Sequence, residues 1–126
     1  MTLNEINRKI LELYNLKDNW IMDTVNGPVK TDHPAPSTWS VDMTVIILDV
    51  LTDLEVFPSD IVPHAEGGVT IIFFRQLDFL YIETHNEGTV TISDFGKNDI
   101  LKFEHPIDVR GVKSVIKSKV EGNGSN

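Results

Sequence analysis

The residues of this chain best suited to bind a metal or transfer a proton are four histidines. They are His33, His64, His85 and His105. His64 lies two residues before Glu66, and His85 lies two residues after Glu83. If the strands flanking these pairs lie side by side, the four side chains form a His-Glu cluster of the kind that holds zinc. No HExxH motif and no closely spaced histidine pair supports such a site. We therefore expect solvated turn histidines, no metal and no other cofactor.

Nucleophilic catalysis has little support in the sequence. The chain contains no cysteine and no Gly-x-Ser-x-Gly motif. The pair Gly67-Gly68 is not a phosphate-binding loop, because no Lys-Ser or Lys-Thr follows it. Serine is common at helix caps and turns, and Ser37, Ser40, Ser59 and Ser93 all occupy such positions. We therefore assign no catalytic residues and do not expect an enzyme.

Residues 61 to 94 predict an antiparallel meander. Three runs rich in Val, Ile, Phe, Tyr and Thr are separated by short polar turns, which is typical of hairpin-connected strands. The runs are residues 69–74, 79–84 and 89–93, with turns at Glu66 to Gly68, Gln76 to Asp78 and Asn86 to Gly88. Ile61-Val62 predicts a further short strand, which Pro63 places at a sheet edge because proline has no N–H to donate. Ile100 to Phe103 is a candidate for one more strand.

The first of these runs is apolar on both of its faces. Side chains alternate along a strand, so Ile71 and Phe73 share one face while Ile72 and Phe74 share the other. In the next run Leu80 and Ile82 oppose Phe79 and Tyr81. We expect Ile72, Phe74, Leu80 and Ile82 to share a face that the helices cover incompletely. Ile72, Phe74 and Leu80 are therefore predicted to bind a partner.

Two helices are predicted before the meander. Thr2 to Glu5 matches a capping box, and apolar residues then recur at helical spacing until about Leu16. A second helix begins after Pro36-Ser37. Its predicted apolar stripe consists of Trp39, Met43, Ile46, Ile47, Val50, Leu51 and Leu54. Asp42, Asp49 and Asp53 lie off that stripe and form a second candidate binding surface. The predicted core contains Trp39, Ile46, Val50, Ile71, Phe73 and Tyr81.

The remaining segments are harder to interpret. Residues 19–36 are rich in Gly and Pro, and we expect an irregular surface loop held by Trp20 in the core. A functional loop is the alternative, because long connections often carry binding or catalytic residues. Asp108 is expected to cap a weak last helix with Val109, Val112 and Ile116 on one side. Residues 121–126 predict a tail after a single domain that spans residues 1–120.

The charge distribution limits the classes of partner. The net charge is −8, and residues 1–107 contain seven Lys or Arg against seventeen Asp or Glu. An acidic protein surface is repelled by the phosphate backbone of nucleic acids, so we expect no nucleic-acid partner. No apolar run is long enough to cross a bilayer, so we expect no membrane partner. With no cysteine and no signal-like N-terminal pattern, we expect a cytoplasmic protein.

Several short motifs occur in an order shared with other proteins. They are Leu16 to Trp20, Pro36-Ser37, Ile61 to Pro63, Glu66 to Val69 and Ile82-Glu83. Over about residues 10–92 the chain resembles uncharacterised small bacterial proteins with an "NWDGYGA…PS…VPS-DGG" pattern. It departs from them where residues 21–35 replace the Gly-Tyr-Gly segment and where Phe73-Phe74 replaces Glu-Trp. The resemblance implies a helix followed by a meander, and a setting among small accessory proteins.

These observations predict an α+β fold, in which two N-terminal helices pack on a small antiparallel meander and a weak C-terminal helix follows. They favour a non-catalytic module that binds a protein partner or a second copy of itself. An antitoxin, an immunity protein or a phage-type inhibitor has this size, acidity and lack of catalytic groups. The alternative is a small-ligand or metal-dependent enzyme with its site in the 20–36 loop.

Overall fold

A computed structural model describes residues 1–74, 77–104 and 107–122. In chain order its elements are α1 (Leu3–Asn15), β1 (Ile21–Thr24), β2 (Gly27–Lys30), α2 (Thr38–Asp53), β3 (Asp60–Pro63), β4 (Gly68–Phe74), β5 (Phe79–His85), β6 (Val90–Asp94), β7 (Asp99–Phe103) and α3 (Val109–Gly122). Strands β3 to β7 form an antiparallel sheet in chain order, and β1 and β2 form a separate hairpin. The predicted α+β fold is confirmed. Predictions that involve Gln76 and His105 fall outside the described residues.

The sheet contains two edge strands, β3 and β7, in addition to the three central strands β4 to β6. Pro63 ends β3, which lies at one edge of the sheet as predicted, and β7 forms the other edge. The two helix starts also match their sequence signals. The Thr2 hydroxyl accepts the Glu5 N–H in a complete capping box, and the Ser37 hydroxyl accepts the Ser40 N–H.

All three helices pack against one face of the five-stranded sheet. Buried helical side chains and alternate strand residues form a single apolar cluster, which contains Ile6, Leu13, Ile47, Leu51, Ile61, Val69, Ile71, Phe73, Leu80, Ile82, Val90, Ile92, Val112 and Ile116. Because side chains alternate between faces along a strand, this cluster defines the core face. The opposite side of the sheet is called the open face below.

The second helix is rotated relative to its predicted orientation. Ser40 and Thr44 are fully buried, whereas Ile46 is 41% exposed. The two hydroxyls can be buried because both are hydrogen-bonded: Ser40 donates to the Ser37 carbonyl oxygen, and Thr44 donates to that of Ser40. The predicted core was right for Ile71 and Phe73 and wrong for Ile46. Trp39, Val50 and Tyr81 are only partly buried.

Residues 21–30 form the β1–β2 hairpin, so the prediction of an irregular loop was wrong here. The strands are joined at Val25-Asn26, and Gly27 follows with a φ of 106°, which glycine adopts without a steric penalty. Trp20 is half-buried outside the core cluster. Its indole N–H donates to the Pro34 carbonyl oxygen at 3.2 Å, so Trp20 fastens the base of the hairpin instead of anchoring it in the core.

The last helix covers the core face above β6 and β7. Asp108 caps it as predicted, since its carboxylate accepts the Gly111 N–H at 3.1 Å. Lys119 reaches the buried carboxylate of Asp94 and donates to Asp99 at 2.8 Å. The hydrogen bond to Asp99, supported by Asp94, raises the pKa of Lys119. The helix continues to Gly122, and the remainder of the predicted tail, residues 123–126, lies outside the described residues.

Candidate functional site

The open face of the sheet carries the two most exposed aromatic side chains, Phe74 and Phe95. Within the described ranges no helix lies on it, because the buried residues of α1, α2 and α3 all join the core cluster on the other side. Phe74 is 66% exposed and Ile100 is 71% exposed. Ile72, two residues before Phe74 on the same strand, is in partial contact with solvent. The sequence prediction that Ile72 and Phe74 lie on an incompletely covered face agrees with this burial pattern.

Three aromatic rings from β5 and the end of β6 form a cluster on the open face. The Phe79 and Tyr81 rings stack with centroids 5.2 Å apart. The Phe95 ring lies 4.5 Å from Phe79 and 5.0 Å from Tyr81. Such offset and edge-to-face contacts fix the rings against one another. Because the rings already contact one another in the free protein, binding would cost less side-chain entropy than ordering isolated rings.

Leu80 does not belong to the open face, and its assignment to the predicted binding surface was wrong. Phe73 pairs directly with Leu80, and Ile71 pairs with Ile82. Directly paired residues of an antiparallel ladder point to the same side, so Leu80 lies on the core face, where it is 1% exposed. Phe79 and Tyr81 take its place beside Phe74. Their alternation with Leu80 and Ile82 was evident in the sequence, but the register across the turn was not.

The other end of the open face is polar. The His64 Nε2 atom lies 2.7 Å from a carboxylate oxygen of Glu83, and both side chains are largely buried. The His64 Nδ1 atom accepts the Glu66 N–H at 3.1 Å, so the ring proton is on Nε2 and is donated to Glu83. The His85 ring meets that of His64 edge-on at 5.1 Å. His64, Glu83 and His85 therefore do approach one another, as the sequence suggested, and the Glu66 side chain is exposed.

This arrangement differs from a metal site. Among the described residues, no group of three or more His, Asp or Glu side chains has the geometry to hold a metal ion. Both nitrogens of His64 are already engaged within the protein, and His85 Nε2 lies 3.1 Å from the Thr91 hydroxyl. Coordination would break these hydrogen bonds.

We expect zinc to leave the melting temperature unchanged, since a ligand stabilises only if it binds the folded state. Differential scanning fluorimetry with and without zinc measures this directly. A rise of several degrees that is lost in the His64→Ala and His85→Ala double variant would contradict the prediction.

The acidic residues of α2 form a separate surface. Asp49 and Asp53 are exposed, as predicted. Asp42 is exposed too, but it accepts a hydrogen bond from the Tyr14 hydroxyl of α1. That bond raises the pKa of Tyr14. Asp42 therefore links two helices, which leaves Asp49 and Asp53 as the more accessible charges of this surface.

A cleft of about 560 Å³ separates the hairpin from the sheet edge. Its walls are β1 and β3, and its floor is the end of α1. Residues 20–23 line it, so part of the segment suspected of function does border a concave site. The cleft lies beside the core face of the sheet, as the presence of Leu13 and Ile61 in its lining shows. An enzyme with its site in the 20–36 loop stays a prediction.

Comparison of the chain with protein-family models, with curated proteins and with solved structures finds no match. The resemblance to small bacterial proteins therefore stays a prediction. None of the helices in the described ranges is sufficiently long and apolar to span a bilayer.

Proposed function

We propose that this protein is a non-catalytic, cytoplasmic protein-binding module that binds its partner with the open face of the sheet. The observation that carries the proposal is an uncovered sheet face on which Phe74 and Ile100 are more than half exposed beside a cluster of three aromatic rings. A contiguous apolar surface of this kind is uncommon on a protein without partners.

The composition of the open face suits the centre of an interface. Phe and Tyr are enriched in interface cores, and a few such side chains commonly carry most of the binding free energy. The charged groups at the edges of the face have partners, since the Glu83 carboxylate accepts a hydrogen bond from His64 and Lys102 lies 3.7 Å from Glu104. The central contact is therefore apolar, with polar groups around it.

The acidic balance of the chain indicates the kind of partner. A net charge of −8 accelerates the approach of a positively charged protein and opposes that of another acidic one. We therefore expect a basic protein that presents an apolar patch, bound in the manner of an antitoxin, an immunity protein or a phage-type inhibitor. Association with a second copy of the chain is the competing outcome, which the experiment below separates.

Replacing Phe74 with glutamate is expected to abolish association while leaving the fold intact. The side chain is 66% exposed in the free protein, so the charge costs little there, but it would be desolvated in a complex. Circular dichroism and urea denaturation check the fold. Sedimentation velocity of the purified protein reports self-association, and affinity capture from the native host reports a partner.

Leu11→Glu is the matched control, because Leu11 is 63% exposed on α1, on the other side of the molecule. The proposal requires that Phe74→Glu loses a complex that Leu11→Glu retains. Equal effects of the two variants, or a wild-type protein that forms no complex in either assay, would contradict it.

A further inference from the structure

The cleft between β1 and β3 has apolar walls and an acidic rim. Leu13 of α1 and Leu16, which caps that helix, form its floor, and Met22 of β1 and Ile61 of β3 line its sides. A volume of about 560 Å³ lies within the range of small-molecule and side-chain pockets. It is sufficient for one long side chain together with part of an apolar neighbour.

The rim of the cleft carries more negative than positive charge. Glu12, Asp23 and Asp60 line it together with one cation, Lys9. Lys9 lies 3.9 Å from Asp60, so these two charges compensate each other. In the described part of the chain Glu12 and Asp23 have no cationic partner, and both are exposed at the cleft mouth. The uncompensated charge of the rim is therefore negative.

The β3 wall offers hydrogen-bond acceptors and no free donor. The His64 N–H donates to the Gly68 carbonyl oxygen of β4. Backbone groups of successive residues in a strand point in alternate directions, so the N–H and C=O groups of Ile61 and the C=O group of Pro63 point away from β4, toward the free edge of the sheet. The Ile61 N–H is already donated to the Asp60 carboxylate at 2.8 Å, and proline has no N–H. Only carbonyl oxygens remain available along this edge.

This pattern disfavours an added β-strand as the occupant. A strand paired to β3 would bring its own carbonyl oxygens against an edge that has no N–H to give them, and each unpaired group costs free energy. A side chain that only donates hydrogen bonds has no such penalty. The guanidinium of arginine has five N–H donors, no acceptor and a permanent positive charge, and its stem is apolar.

We propose that this cleft binds an arginine side chain of a basic peptide segment, with the guanidinium between Glu12, Asp23 and the β3 carbonyl oxygens and an apolar neighbour on Leu16 and Met22. The inference does not depend on the open face of the sheet, because the two surfaces share no aromatic residue. Phe74→Glu leaves the cleft unchanged, so failure of one proposal does not decide the other.

The test uses the full chain and an acetylated, amidated pentapeptide, Ala-Leu-Arg-Leu-Ala, titrated at low salt. ¹H–¹⁵N correlation spectra should show shifts at the Trp20 indole and at Met22 and Val62, whereas the Trp39 indole, outside the cleft, should not move. The same peptide with glutamine in place of arginine should bind at least about fivefold more weakly, as expected for loss of exposed ion pairs. Added salt should weaken binding of the arginine peptide selectively.

The Glu12→Gln and Asp23→Asn double variant should reduce affinity for the arginine peptide by about two- to fivefold per removed charge. Asp49→Asn with Asp53→Asn removes the same number of charges from the exposed face of α2 and should leave affinity nearly unchanged. The proposal is overturned if the cleft resonances do not shift, if the arginine and glutamine peptides bind equally, or if both double variants weaken binding alike.

Discussion

Gly68→Ala is expected to lower the free energy of unfolding by about 3 to 5 kcal/mol, a large part of the stability of a domain this size. Gly68 begins β4 with a φ of 129°, a conformation that is almost restricted to glycine. A Cβ atom there would also lie inside contact distance of the Thr84 carbonyl oxygen, which belongs to the backbone of the adjacent strand. Relief of the clash would require separating β4 from β5, the pair at the centre of the sheet.

Gly27→Ala is the control that separates the two causes. Gly27 also has a positive φ, 106°, but an added Cβ would meet no atom within 4 Å. We expect a cost of about 1 kcal/mol, which is the penalty for the backbone conformation alone. Urea denaturation of both variants measures the difference. Similar losses in the two proteins would show that the close approach of β4 and β5 contributes little.

Ile71→Ala is expected to lower the free energy of unfolding by about 2 to 4 kcal/mol. Ile71 is fully buried on the core face of β4, where it pairs with Ile61 of β3 and Ile82 of β5. Truncation leaves a cavity between three strands and α2, and β4 is hydrogen-bonded to a strand on each side, so it cannot move to fill the cavity.

Ile100→Ala makes the same chemical change on edge strand β7, where the side chain is 71% exposed. We expect a loss below about 0.5 kcal/mol, because no cavity forms and little apolar surface is returned to water. Chemical denaturation of both variants checks this comparison. If Ile71→Ala cost no more than Ile100→Ala, the core face would have been assigned to the wrong side of the sheet.

The open face and the cleft represent different kinds of binding surface on one small domain. The open face is broad and aromatic, and its Glu83 carboxylate is hydrogen-bonded to His64. The cleft is narrow, and its rim carries two uncompensated carboxylates, Glu12 and Asp23. Affinity at the first should depend mainly on apolar burial, with salt slowing the approach of a basic partner, whereas affinity at the second should fall as salt rises because it depends on exposed ion pairs.

The sequence alone determined the elements whose signals are local. The capping box at Thr2 and Glu5 and the cap at Ser37 marked two helix starts, because the groups that form each cap lie within four residues of one another. Alternation within a strand likewise placed Ile72 and Phe74 on the face opposite Ile71 and Phe73. The short turns between successive apolar runs indicated the order of the meander.

The hairpin at residues 21–30 had a local signal that the surrounding composition obscured. Asn26-Gly27 is a typical hairpin turn dipeptide, but three prolines and the polar residues around it favoured an irregular loop. The hairpin is held by Trp20, whose indole contacts Pro34 and His33. These contacts are local to residues 19–36. Only the folded structure shows that Trp20 makes them instead of packing in the core.

The composition of each face was decided by the tertiary structure. Whether Leu80 or Tyr81 joins Phe74 depends on the register across the β4–β5 turn, and a shift of one residue exchanges the faces of an entire strand. The rotation of α2 depends on Thr44, whose hydroxyl lies 3.0 Å from that of Thr84, forty residues away in the chain. Such pairings form between distant segments, and neither periodicity nor spacing within one segment specifies them.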